Sequence, residues 1–131
     1  MVMNTPKDEL IKMLVNKTLF GFLMKKNLIK KGDMVCYGRI LGISTEDLRE
    51  HFEKNGYPEL NVPRKLIKST PEGSEGDVVW TLNNGVYKVW QFERGEPFEE
   101  FSTESKPAFE TYWKDHILKF MSYHLNNEWR L

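Results

Sequence analysis

The stretch DVVWTLNNGVYKVWQFERGEPFEEF, residues 77–101, decides the fold. Val78, Val79, Trp80 and Leu82, then Val86, Tyr87, Val89, Trp90 and Phe92, fit the pleated, half-buried surface of a sheet. Between the two runs Asn84-Gly85 supplies the positive φ that a tight hairpin turn needs. Side chains alternate along a strand, so Val86, Lys88, Trp90 and Phe92 share one face and Tyr87, Val89 and Gln91 the other. Neither face is cleanly polar, which predicts a sheet covered on one side and only partly exposed on the other. Gly95-Glu96-Pro97 then turns the chain into a last edge segment, residues 98–101, with Pro97 where no ladder donor is required.

Working outward, 131 residues suit one domain spanning residues 1–131: a mainly helical part at 1–56, antiparallel strands at 57–101 and a C-terminal helix at 103–126. The predicted class is α+β, with N-terminal helices and a long C-terminal helix packed on a small antiparallel sheet. An apolar share of 40% and a charged share of 29% are those of a folded, soluble chain. Nineteen basic residues balance nineteen acidic ones, which argues against a general nucleic-acid or anionic-membrane binder. The charge is unevenly spread. Residues 1–31 hold seven lysines against Asp8 and Glu9, whereas residues 93–104 hold five glutamates against Arg94. One cysteine, Cys36, cannot form an internal disulfide, and neither a secretory signal nor a bilayer-length apolar run is visible, so a reducing cytoplasm is the expected location.

Thr5-Pro6-Lys7-Asp8 predicts a helix start, with Thr5 as cap and Pro6 at the first helical position. Leu10, Ile11, Leu14, Val15, Thr18, Leu19 and Phe22 recur at helical spacing to about Met24. Beyond it the chain either stays helical to Gly32 or breaks near Asn27, and residues 33–43 read as either a short helix or a strand. Ser44 followed by Asp47 predicts a reciprocal cap on a helix that buries Leu48 and Phe52 and closes at Gly56 in the left-handed conformation. Leu66 and Ile67 suggest a first strand within residues 61–69, ahead of an exposed, mobile loop at 69–76. Phe109, Tyr112, Trp113, His116, Ile117, Phe120, Met121 and His124 form one stripe on the last helix.

Chemistry is sparse. His116 and His124 are eight residues apart and Cys36 has no partner cysteine, so neither a metal nor another cofactor is expected. No serine or cysteine sits in a glycine-flanked elbow, and the Gly73, Gly76 segment lacks the lysine of a phosphate loop. Glu99 and Glu100 are neighbours on a strand and point to opposite faces, which makes a poor acid-base pair, and no catalytic residue is assigned. Two readings of the acidic run stay open: edge protection, or a surface that meets a basic partner. A different class of function, a small nucleic-acid-binding or regulatory module, would use Lys25, Lys26, Lys30 and Lys31; a lysine-rich helix end is the plainer reading of them.

The run from Val86 to Gly95, ending Glu93-Arg94-Gly95, then Phe101-Ser102-Thr103 and an aromatic-rich helix, with Gly56-Tyr57-Pro58 upstream, resembles the small immunity proteins of bacterial polymorphic toxin systems, including contact-dependent growth inhibition. The resemblance covers roughly residues 56–123. It implies a protein that is not an enzyme and that binds and neutralises a cognate toxin domain, often a nuclease, with no nucleic acid or membrane as partner. Glu93, Arg94 and Gly95 carry over as a structural motif. Because nuclease sites are commonly basic, the expected partner contacts are Glu96, Glu99, Glu100 and Glu104, with Glu72 and Glu75 on the loop as second choice. Oligomeric state is left open.

Overall fold

The computed structural model describes residues 5–131; the first four residues of the expected helical part lie outside the described residues. The fold is α+β, with antiparallel sheets and a long C-terminal helix. Two compact units make up the chain, Glu59–Asp115 and the remainder, residues up to Pro58 together with His116–Leu131.

In the first of these, β4 (Val78–Asn83), β5 (Val86–Glu93) and β6 (Glu96–Thr103) form a meander with β5 in the centre. Both turns have the same form: Asn84 and Gly85 have φ of 51° and 77°, Arg94 and Gly95 of 53° and 76°. Two successive positive φ values match the right-handed twist of the strands they join. Because Arg94-Gly95 turns so tightly, pairing begins at once with Glu93 opposite Glu96. The last strand is therefore twice the expected 98–101 segment and includes Pro97, which an edge strand tolerates. Between Val89 and Trp90 the register with β6 shifts: Phe101 faces Val89, Glu99 faces Trp90, and Glu100 bulges without an opposite number.

One face of this sheet carries Trp80, Leu82, Tyr87, Val89 and Phe101, and the first half of α5 (Lys106–Asn126) covers it. Phe109 is the centre of that contact, its ring 4.5 Å from that of Trp80 and 5.0 Å from that of Tyr87. Tyr112 stacks on Phe101 at 4.1 Å, 4° from parallel. Ser105 opens the helix by accepting the Ala108 amide on its hydroxyl, so the helix starts at Lys106 with Pro107 in its first turn. The other face buries Val79, Trp90 and Phe92 as an apolar cluster. Over it fold a small hairpin, β2 (Leu66–Ile67) with β3 (Thr70–Pro71), and the loop that follows. The segment expected as a plain mobile loop thus contains a strand, and its far end is tied down where Gly76 donates to the Phe92 carbonyl and Phe92 to that of Asp77.

In the other unit the expected helix to Met24 is two helices, α1 (Lys7–Val15) and α2 (Leu19–Lys25). Lys17 adopts φ 65°, and the Asn16 carboxamide oxygen accepts both the amide and the hydroxyl of Thr18. A short polar side chain that satisfies the backbone locally competes with helix continuation, which apolar periodicity does not register. Pro6, rather than Thr5, occupies the cap position. At the end of α2, Asn27 repeats the left-handed exit with φ 58°, settling the break there.

Residues 33–43 turn out to be both alternatives, a strand β1 (Met34–Val35) and a helix α3 (Tyr37–Leu41). The strand exists because the C-terminal β7 (Trp129–Arg130) pairs with it, a long-range partner no local pattern announces. Ser44 and Asp47 cap α4 (Thr45–Asn55) reciprocally, as the sequence indicates. Gly56 has φ 95° and ψ 149°, a glycine-only extended form rather than the expected left-handed helical one. On α5 the buried residues of this unit are Ile117, Met121 and Leu125, while Phe120 lies 46% exposed, so the stripe is narrower than its aromatic content suggested.

His51 is buried on α4, with its Nδ1 2.8 Å from a carboxylate oxygen of Asp8 on α1. That hydrogen bond is the main cause holding the Asp8 carboxyl below its ordinary value of 3.8, helped by the charges of His51, Lys54 and Lys12. A depressed folded-state pKa contributes stability that is present above the unfolded value and is lost as pH falls through the folded one. Wild type and Asp8→Asn should therefore differ in urea midpoint at pH 6, with the difference shrinking as pH drops below 3.8. A pH-independent difference would remove the Asp8 charge from the account.

Candidate functional site

The glutamates singled out from sequence fall into three groups once the meander positions them. Glu72, Glu75, Glu93 and Glu96 belong to the end of the Glu59–Asp115 unit that carries the β5–β6 turn. There the loop and the turn share a recess of about 540 Å³ whose lining includes Arg64, Glu72, Asp77, Gly95 and Pro97. Glu99 and Glu100 lie in the middle of β6, and Glu104 just beyond its far end. Eight residues separate Glu96 from Glu104, roughly 26 Å at the rise of an extended strand. The four first-choice residues therefore run the length of an edge and do not form one patch.

Several of these carboxylates already have work within the fold. Glu99 reaches across the strands to Lys88 at 2.8 Å, and the Lys88 ammonium lies 5.8 Å from the centre of the Trp90 ring. Glu100, released to its own direction by the bulge, accepts from the Tyr112 hydroxyl. Burial first, and then Glu100, push the Tyr112 phenol up to about 12. Glu75 accepts the amide of Gly95 at 3.0 Å and so braces the β5–β6 turn. Glu72 lends its backbone carbonyl to Arg64 and keeps its own side chain exposed.

The most telling arrangement is Glu93 directly opposite Glu96 across the hairpin, both exposed. Like charges facing each other on neighbouring strands oppose the pairing. Phe98, two residues along β6, is 54% exposed. An exposed aromatic ring therefore stands beside the acidic turn.

The edge itself is guarded. Among the described residues β6 pairs only with β5, and Pro97, the bulge at Glu100 and the row of glutamates all discourage addition of a further strand. Of the alternative basic cluster, Lys25 and Lys26 lie at the end of α2, Lys26 resting 5.9 Å from the centre of the Phe22 ring. Lys30 donates its backbone amide to Asp33. Cys36 is buried and its thiol donates to the Leu125 carbonyl. Among the described residues no three His, Cys, Asp or Glu side chains gather as a metal ion would need, and no helix is long and apolar enough to cross a membrane.

Sequence reasoning missed the bulge and the bracing role of Glu75, both consequences of pairing across the chain. It also missed the Glu93–Glu96 opposition, which could have been found by placing a two-residue turn at Arg94-Gly95, the same form as Asn84-Gly85. A bond to a carboxylate contributes about 1.5–3 kcal/mol when desolvated and less at an exposed turn. Glu75→Ala should accordingly speed amide hydrogen exchange at Gly95 by several-fold while leaving the amides of central β5 unchanged. Equal exchange at Gly95 in both proteins would show that the turn holds without the brace.

Compared with protein-family models, with curated proteins and with solved structures, the chain matches none.

Proposed function

We propose that this chain is an immunity factor, a protein that binds a cognate bacterial toxin domain stoichiometrically and neutralises it by covering a basic active or substrate-binding surface. The observation that carries the reading is the opposition of Glu93 and Glu96 on an exposed turn. Two carboxylates held face to face weaken the free protein, and a cation brought up by a partner relieves them. Glu72 adds a further exposed carboxylate beside the same recess, and Phe98 an apolar anchor. A nuclease domain is the favoured partner class, since a site that holds phosphates is basic and an acidic surface competes for the same field. The Glu93-Arg94-Gly95 resemblance points to the same class of protein.

In this reading Glu96 and Glu72 lead the contact. Glu99, Glu100 and Glu75 contribute charge while their oxygens serve Lys88, Tyr112 and Gly95. Glu104, a strand's length away, takes part only if the partner is broad.

The test is co-expression with the C-terminal domain of the large protein encoded immediately upstream, scored by growth rescue and by recovery of a complex. Glu96→Lys then separates charge in the contact from charge in the fold. It replaces a repulsive cross-strand pair with an attractive one, so the free protein should gain roughly 0.5 kcal/mol. Association with the toxin domain should nevertheless slow about tenfold at low salt, with a flatter salt dependence. Unchanged association kinetics in the stabilised variant would remove this turn from the interface. A toxic neighbour that the protein neither binds nor neutralises would overturn the immunity reading.

A further inference from the structure

We propose that the cavity beneath the β2–β3 hairpin is a binding site for a small planar molecule carrying one anionic group. It measures about 350 Å³ and is lined by the hairpin on one side and the sheet on the other. That volume is at the small end of ligand pockets, room for a body of one or two rings. Leu66, Val86 and Trp90 give it apolar walls; Asn83 and Asn84 add amides at one side. The proposal stands on the cavity and the lysines that line it, and rests on no part of the toxin-binding reading.

Charge at the site favours an anion. Lys68 and Lys88 both line the cavity. Glu99 holds the Lys88 ammonium at 2.8 Å, and the Thr81 hydroxyl already accepts the Trp90 indole N–H at 2.9 Å, so neither is a free recognition group. Lys68 is different. It forms no ion pair among the described residues, and it stands at the hairpin turn with φ 63°, a conformation that glycine adopts more cheaply. The hairpin would close more easily with glycine there, yet the chain keeps a lysine in the cavity lining. An aromatic carboxylate satisfies both features, its ring between the apolar walls and its carboxylate at Lys68.

Two probes of equal shape and opposite charge test this, 2-naphthoate and 2-naphthylmethylammonium, titrated into the full-length protein and followed by amide and indole NMR shifts. Naphthoate should saturably shift the Trp90 indole and the Leu66 and Val86 amides, while the cation leaves them in place. Lys68→Gly, which relaxes the turn, should keep the dispersed spectrum of the folded protein and weaken naphthoate about fivefold, with Lys68→Arg restoring it. The proposal is overturned if neither probe shifts these signals at millimolar concentration, if both shift them equally, or if Lys68→Gly binds naphthoate as the wild type does.

Discussion

Strand β5 is apolar on both faces, and a three-stranded sheet has no third layer of its own with which to bury them. Most of the Glu59–Asp115 unit follows from that constraint. The face of Tyr87 and Val89 takes the first half of α5, with Phe109 seated between Trp80 and Tyr87. Helix and sheet meet through rings because each aromatic side chain removes more apolar area from water than an aliphatic one, and tilted or offset rings add a further favourable term. The opposite face, with Val79, Trp90 and Phe92, has a six-residue hairpin, residues 66–71, and a loop to cover it. Gly73 shows how close that cover lies: a Cβ there would sit 2.5 Å from the Phe92 ring, so the loop can approach only without a side chain. Toward Trp90 and Val86 the same cover stands off, and a cavity remains.

Edge management explains the glutamates as far as the fold is concerned. β6 would offer a long unpaired ladder, and Pro97, a bulge and repeated carboxylates each blunt it. Once Glu99 is paired with Lys88 and Glu100 with Tyr112, the middle of the strand is accounted for by local interactions. Only the turn end retains carboxylates whose placement makes the hairpin less stable. Charge that stabilises its own fold is weak evidence for a partner; charge that destabilises it asks for a second explanation.

What the sequence made legible was local. The Asn84-Gly85 turn, the Ser44–Asp47 capping box and the central run of residues 78–93 depend on side chains within a few positions of one another, and all three are read correctly from composition and spacing, whereas the second turn closes at Arg94-Gly95 and puts the expected turn residues Glu96 and Pro97 into the strand. Two of the missed features depend on partners further along the chain: β1 needs β7, and Glu100 bulges only because Phe101 and Glu99 take consecutive partners on β5; β3 pairs locally with β2, through a Lys68-Ser69 turn that has no glycine or asparagine to announce it. The split between α1 and α2 was missed for the opposite reason. Asn16 acts over two residues, but an apolar stripe from Leu10 to Phe22 is continuous through it, and periodicity alone cannot see a side chain that competes for the backbone. His51 was overlooked because burial was assigned to Leu48 and Phe52; the carboxylate that makes its burial affordable, Asp8, comes from another helix. The candidate site was half visible, its residues present and their grouping hidden until the register was known.

The two hairpin turns of the sheet invite a direct comparison. Asn84-Gly85 and Arg94-Gly95 have nearly the same backbone angles, and both first positions need positive φ. Asparagine is among the residues that tolerate that conformation, its short polar side chain bonding locally; arginine has no such advantage. A turn chosen for backbone geometry alone would repeat the asparagine. Arg94 instead stands in sequence between Glu93 and Glu96, the two residues that pair across the turn. Gly95 takes the positive φ at no steric cost, and the two-residue turn sets Glu93 opposite Glu96, so the Glu93-Arg94-Gly95 motif both turns the chain and fixes which two exposed residues stand across from each other on it.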